Sequence, residues 1–473
     1  MQKREEKFRV EMMNPVRNKT PKVSADLLKT NRISNGMNQY VINGGRKLKG
    51  SVVINSSKNA AMAILAGSLL NDGKTTIKNI PKIEEVYRII EVLESLGVSL
   101  KWRGGRELEI KPPEKINLDE INIEAASKTR SIILFIGALV HKFKNFSLPS
   151  SGGCKLGRRT IIPHVYALEN FGIKIKTLSS KYKISYSILH PAENVVMYES
   201  GDTATENTIM TAALIPGKSV IKFASANYQV QDLCHFLTKL GVKIEGIGTT
   251  TLIIHGKNKI KKDISYYLIE DPIESMLFLA AAIVTRSSII VKRCPLDFLE
   301  LELLKLKKMG FRFKILKEYK AKNGFSRLAD IKTFSSVLTA PVEKIDARPF
   351  PGLNIDNLPF FVPIVTQAKG ETLIHDWVYE NRAMYYTEMA RLGAKMKLAD
   401  PHRLFITGPT QLKGAEIMCP PALRPSTILF IAMLAAKGKS ILKNTYAVER
   451  GHEDLCGRFK KLGAQVEKIE SRE

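Results

Sequence analysis

The residues best placed to do chemistry lie in the stretch Leu148 to His164, LPSSGGCKLGRRTIIPH. Cys154 follows Gly152 and Gly153 and precedes Lys155, Arg158 and Arg159. Glycines allow close backbone approach and a moving loop, and neighbouring cations favour the thiolate, so a thiol here can exchange a proton near neutral pH. The competing reading of Cys154 is an incidental exposed thiol. Cys234, Cys294, Cys419 and Cys456 lie in apolar or helical contexts and read as packing residues. A second stretch, INSSKNAAMAIL, places Lys58 and Asn59 at the expected start of an Ala-rich helix. Free amide donors and the positive end of the helix dipole suit an anion there, and Lys58 adds an ammonium. A capping serine beside a surface lysine would look the same.

These residues must be held by a framework, and its signature is a phrase that returns six times. VLESLGVSL, ALENFGIKI, FLTKLGVKI, LKKMGFRF, EMARLGAKM and FKKLGAQV each join a helix-like run to an alternating stretch through Gly97, Gly172, Gly241, Gly310, Gly393 and Gly463. A glycine ends a helix in a left-handed conformation without steric cost, and the alternation after it begins a strand. The glycines are 75, 69, 69, 83 and 70 residues apart. Most copies also carry an earlier Ala-rich helix without a polar face, which must be buried. The period is too long for a solenoid turn and fits a small α/β module of strand, helix, strand, helix, strand, strand.

A chain of 473 residues exceeds one core and divides into two domains of three modules each. The basic stretch HGKNKIKKD, His255 to Asp263, falls between the third and fourth modules. Residues 1–36 are charged and without apolar periodicity, and are expected to be a disordered basic tail with no signal-peptide core. No apolar run is long enough to span a bilayer. Five cysteines without a CxxC pair or zinc-type spacing argue against disulfides and a structural metal, so a reducing cytoplasm is expected. Lys and Arg total 73 against 46 Asp and Glu, a net charge of +27. The basic residues are dispersed, which favours a solvated surface or a small polyanionic substrate over nucleic acid.

Taken in order, Lys58-Asn59-Ala60-Ala61, Gly152-Gly153-Cys154 with Gly157 and Arg159, Thr205-Glu206-Asn207, Glu380-Asn381-Arg382 and Arg450-Gly451 resemble the motifs of UDP-N-acetylglucosamine enolpyruvyl transferases from about Asn43 to Glu467. The resemblance implies two domains, each an inside-out α/β barrel of three βαβαββ-type units, with the substrate cleft between them. The chain then divides into residues 37–57 plus 270–473 and residues 58–269, the second carrying the Cys154 loop. It implies transfer of the enolpyruvyl group of phosphoenolpyruvate to the 3-hydroxyl of a UDP-sugar, with no metal and no cofactor. Cys154 would be the proton donor at the methylene carbon and the thiol alkylated by fosfomycin. Asp356 would receive the hydroxyl proton, its pKa raised by the cleft. Lys58, Arg159, Arg424 and Arg450 would clamp phosphoenolpyruvate. Arg130, Arg159 through His164, Asp202, Thr203, Asp356 and Val378 would contact the sugar nucleotide, with Asn59 and Asp271 also in the site.

The chain departs from the family at several of these places. Arg159-Thr160-Ile161-Ile162-Pro163-His164 stands for Arg-Pro-Val-Asp-Leu-His, a lysine near the diphosphate becomes Glu199, two glutamates become Asn227 and Gln229, and an aspartate before Leu-Arg becomes Ala422. The last change is expected to deprive Arg424 of a partner. These departures leave open a catalytically silent or substrate-shifted paralogue that binds a different nucleotide sugar.

Overall fold

The computed structural model describes residues 38–150 and 160–470. Residues 1–37, expected above to include a disordered tail, and residues 151–159, which include Cys154 and Arg159, lie outside the described residues. The six glycines of the recurring phrase all have positive φ, between 85° and 100°. Gly97 illustrates the junction: the amphipathic helix Glu84–Ser95 stops two residues before it, and the strand Ser99–Trp102 starts two residues after it. The other five glycines likewise stand between a helix and a strand.

The described strands form six sheets, four of four strands, one of five and one of three. Antiparallel pairing dominates. In five of the sheets a parallel strand from another part of the chain is added. Ile264–Tyr267 runs parallel to Thr75–Lys78, and Lys49–Val53 runs parallel to Ser288–Pro295. Gln39–Gly44 pairs with both Gly438–Lys443 and Gln465–Ile469, so the start of the described chain is tied to its end.

The buried side chains fall into two clusters. One runs from Ala61 to Leu268; the other joins Tyr40 to Ala60 with Ile269 to Val466 and takes in Tyr228. The backbone crosses between them at Ala60/Ala61 and at Leu268/Ile269. Each core is built on three interior helices that touch one another. In the first these are Lys58–Gly67, Phe135–Leu139 and Asp202–Ala213, and in the second Pro272–Val284, Leu358–Val365 and Leu423–Ala435. Every residue of Pro272–Val284 and of Leu358–Val365 is buried, as the missing polar faces require. Strands instead alternate buried and exposed positions, as in Arg403–Gly408, so helices occupy the interior and sheets turn one face to water. Cys234, Cys294, Cys419 and Cys456 are buried free thiols, and burial raises the thiol pKa of each. Among the described residues no helix is long and apolar enough to cross a membrane, and no cluster of ligating side chains could hold a metal ion.

Candidate active site

Six candidate residues sit at the N-terminal ends of the six interior helices. Lys58 is the first residue of Lys58–Gly67, where Ser57 caps the helix by accepting from the Ala60 N–H. Arg130 opens the 3-10 segment Arg130–Leu134 that runs into Phe135–Leu139, and Asp202 opens Asp202–Ala213. Asp271 caps Pro272–Val284, Asp356 stands two residues before Leu358–Val365, and Arg424 is the second residue of Leu423–Ala435. Unpaired amides and aligned dipoles at such ends favour negative charge, so a site assembled from them is built for anions.

Asp356 is at the centre. Arg424 Nη2 donates to its Oδ2 at 3.1 Å, and Arg382 Nη1 lies 3.8 Å from its Oδ1. Burial alone would raise the carboxyl pKa, but Arg424, Arg382 and Lys58 outweigh it and lower the pKa to about 2. The expectation of a raised pKa is thus corrected: the desolvation is present, and three cations overcome it. Loss of an aspartate at Ala422 does not strand Arg424 either, because Asp356 pairs with it and Asp271 lies close enough to stabilise it. Asp271 is itself raised to about 6 by burial, against the pull of Arg424.

Lys58 Nζ donates to Glu85 Oε2 at 2.6 Å, and Arg450 Nη1 lies 3.3 Å from Glu85 Oε1. Burial opposes ionisation of Glu85, yet Lys58, Arg450 and Arg424 hold its pKa below the ordinary value. Asn59 Nδ2 donates to the Tyr228 hydroxyl at 3.2 Å. On the opposite flank Asp202 accepts from Ser225 Oγ at 2.5 Å and from Asn227 Nδ2 at 2.9 Å. Asn354 Nδ2 donates to Asn227 Oδ1 at 3.4 Å, while Asn354 Oδ1 accepts from the Asp356 N–H at 2.9 Å. A chain of polar contacts therefore links Asp202 to Asp356 across the two cores.

His164 is held inside the fold. Asn207 Nδ2 donates to its Nδ1 at 3.0 Å, leaving Nε2 to carry the proton and face Thr203 Oγ1 at 3.4 Å. Burial, aided by nearby Arg130, lowers its pKa to about 3, so the ring is neutral. With both nitrogens engaged, His164 positions exposed Thr203 and buried Asn207. Val378 stands apart as an exposed apolar residue beside half-exposed Trp377.

Sequence reading gave no role to three members of this cluster. Glu85 looks like any acid in the first turn of an amphipathic helix, and only the fold shows that it bridges two cations. Arg382 was visible within Glu380-Asn381-Arg382 but not its fork on Asp376, where Nε and Nη2 donate at 2.6 and 2.8 Å. His452 donates from Nε2 to the Thr427 hydroxyl at 3.1 Å, and burial beside Arg424, Arg458 and Lys58 pushes its pKa well below the ordinary value.

The sequence profile of EPSP synthase (3-phosphoshikimate 1-carboxyvinyltransferase) matches residues 42–459. A protein of Treponema denticola named UDP-N-acetylglucosamine 1-carboxyvinyltransferase is 32% identical over 435 residues, 91% of this chain and 99% of its own. The chain belongs to this family of enolpyruvyl transferases. A protein of the same name from Thermodesulfovibrio yellowstonii is also 32% identical, over 92% of this chain and 100% of its own. Among solved structures, the enolpyruvyl transferase NikO from Streptomyces tendae superposes with a TM-score of 0.78 at 20% identity, covering 92% of this chain and 100% of that one. EPSP synthase from Acinetobacter baumannii gives 0.72 at 17% identity, covering 92% and 100%. The mixed α/β fold of enolpyruvyl transferases is thereby shared.

Proposed function

We propose that the protein transfers the enolpyruvyl group of phosphoenolpyruvate to the 3-hydroxyl of UDP-N-acetylglucosamine and releases phosphate, the first committed step of peptidoglycan synthesis in the cytoplasm. The observation that carries this reading is the Asp356 carboxylate, held ionised by Arg424, Arg382 and Lys58. We read the two cores as domains, residues 37–57 with 270–473 and residues 58–269, each an inside-out barrel of three βαβαββ units. Six sheets around two trios of buried helices support that reading.

In the addition step the Cys154 thiol gives its proton to the methylene carbon of phosphoenolpyruvate. The sugar oxygen bonds to the adjacent carbon, and Asp356 takes the hydroxyl proton. In the elimination step the Cys154 thiolate takes a proton back from the new methyl group, the double bond re-forms as the carbon–oxygen bond to phosphate breaks, and the proton held by Asp356 leaves with the phosphate. Lys58, Arg159, Arg424 and Arg450 balance the phosphate and carboxylate charges as they redistribute. A carboxylate with a pKa of about 2 is a weak base. Binding of the phosphoenolpyruvate anion to Arg424 neutralises part of the charge that depresses Asp356, and burial then raises its pKa when a base is needed. Arg130, Asp202 and Thr203 would flank the sugar nucleotide on the other side, with His164 behind Thr203, Asn59 and Asp271 beside Lys58 and Arg424, and Val378 at the margin.

The test is phosphate release from phosphoenolpyruvate with UDP-N-acetylglucosamine, with and without fosfomycin, on the wild type and on Cys154→Ala. Turnover that both the drug and the substitution abolish is the expected outcome. Absence of release from the wild type at high enzyme concentration would refute the assignment.

A further inference from the structure

Outside the site just described, a cavity of about 670 Å³ lies where the chain passes between the cores. One wall comes from the first core, with Lys78 and Asn79 at the end of the strand Thr75–Lys78 and Arg106 and Glu107 at the start of Glu107–Lys111. The facing wall is Tyr267, which ends the crossing strand Ile264–Tyr267, and Lys322, in the turn between the strands Phe313–Lys320 and Arg327–Thr333 of the second core. Three cations thus face one carboxylate, and that carboxylate, Glu107, is 3.5 Å from Lys78 Nζ. Lys322 Nζ stands 5.3 Å from the centre of the Tyr267 ring. Glu270, close enough to interact with Lys322, is already taken by Arg293.

Two donors here are unused. Arg106 Nη1 and Asn79 Nδ2 are both shielded from solvent and have no hydrogen-bond partner among the described residues. Buried donors without acceptors are costly, and both of these belong to residues that line this one polar cavity. Asn79 also holds a left-handed backbone, with φ of 62°, and its carbonyl accepts from the Ser56 hydroxyl on the other crossing segment. That contact fixes the orphan amide relative to the crossing.

We propose that this cavity is a second anion site, taking a small carboxylate- or phosphate-bearing metabolite whose oxyanion is met by Arg106, Asn79, Lys78 and Lys322. A guanidinium and an amide supply directed donors, and two ammonium groups supply charge without fixed geometry. The volume exceeds that of a lone phosphate and leaves room for a polar body against Tyr267. Arg106 connects the cavity to the active site. Its Nη2 donates to Glu453 Oε1 at 2.7 Å, and Glu453 lies in the loop that carries Arg450.

Citrate and inorganic pyrophosphate are the probes, titrated calorimetrically into the full-length protein, one reporting on carboxylates and the other on phosphates. The double variant Lys78→Gln, Lys322→Gln is expected to lose at least about tenfold in affinity for whichever probe binds, since charged hydrogen-bonding partners are removed. Both lysines are surface groups, so its melting temperature should match the wild type. A second variant, Lys58→Gln with Arg424→Gln, empties the active site of two cations and is expected to keep the affinity. Binding lost in the second variant and kept in the first would assign the anion to the active site and overturn the proposal. So would the absence of heat from both probes at millimolar concentration.

Discussion

Glu85 and Arg450 come from opposite cores and meet at 3.3 Å, with Lys58 on the other oxygen of the same carboxylate at 2.6 Å. One acid therefore sets the spacing of two of the cations assigned to phosphoenolpyruvate. It does so from a helix start, Glu84–Ser95, which also reaches the short helix Tyr446–Glu449 that Arg450 caps: Glu84 accepts from the Tyr446 hydroxyl at 3.0 Å.

Glu85→Gln keeps the shape and removes the charge that orders both cations. Its kcat/KM for phosphoenolpyruvate is expected to fall by about tenfold or more, the scale of a lost charge-assisted contact, with the larger part in KM. Steady-state kinetics at saturating UDP-N-acetylglucosamine reads this directly, and an unchanged KM would remove Glu85 from the site.

Asp356→Asn is expected to lower kcat by about 10²–10⁴, the range for losing a general base, while UDP-N-acetylglucosamine still binds in calorimetry. The wild-type pH profiles carry a further sign. Asp356 in the free enzyme is held at about 2, so kcat/KM has no acid limb from it near neutrality. In the substrate complex Arg424 is partly neutralised, so the acid limb of kcat is expected at a higher pH than that of kcat/KM.

Arg382→Ala leaves Asp376 buried and without its forked partner, next to the Tyr386 hydroxyl that donates to it at 2.6 Å. Removing one member of a buried pair costs about 3–5 kcal/mol, so the urea midpoint should drop markedly. Arg382→Lys restores charge without the fork and is expected to recover only part of it.

His164 and His141 titrate at about 3 and about 4 in the folded chain, each lowered chiefly by burial. An unfolded histidine titrates near 6.5, so between that pH and the folded value the unfolded state holds more protons. The stability from each neutral ring is complete above about pH 6.5 and is lost as pH falls towards 3 or 4, by up to about 1.4 kcal/mol per pH unit. Urea titrations at pH 7.5 and 5 should show the decline, and His164→Gln should make it shallower.

The recurring glycines were legible because a left-handed helix stop leaves a chemical mark, a residue without Cβ, and all six positions have that geometry. Helix starts were legible at Lys58 for a similar reason, since Ser57 is a capping residue and the run after it is apolar. The convergence of residues was not, because Glu85 and Arg450, or Asn227 and Asn354, are brought together only by tertiary packing. Direction of charge effects was also hidden. A carboxylate in a cleft can be raised by burial or lowered by cations, and Asp356 follows the second course through Arg424, Arg382 and Lys58. The substitutions at Asn227 and Gln229, which read as losses, turn out to be hydrogen-bond partners for Asp202 and Glu206.

Three of the interior helices belong to one core and three to the other. A receptor made in two matching parts need not be emptied through an opening. On the function proposed above, separation of the parts would take Lys58 from Asp356 and Glu85 from Arg450 and divide in two the field around the phosphate. Release of product would then depend on the motion that dismantles the grip, and the same motion in reverse would compose it around the next pair of substrates.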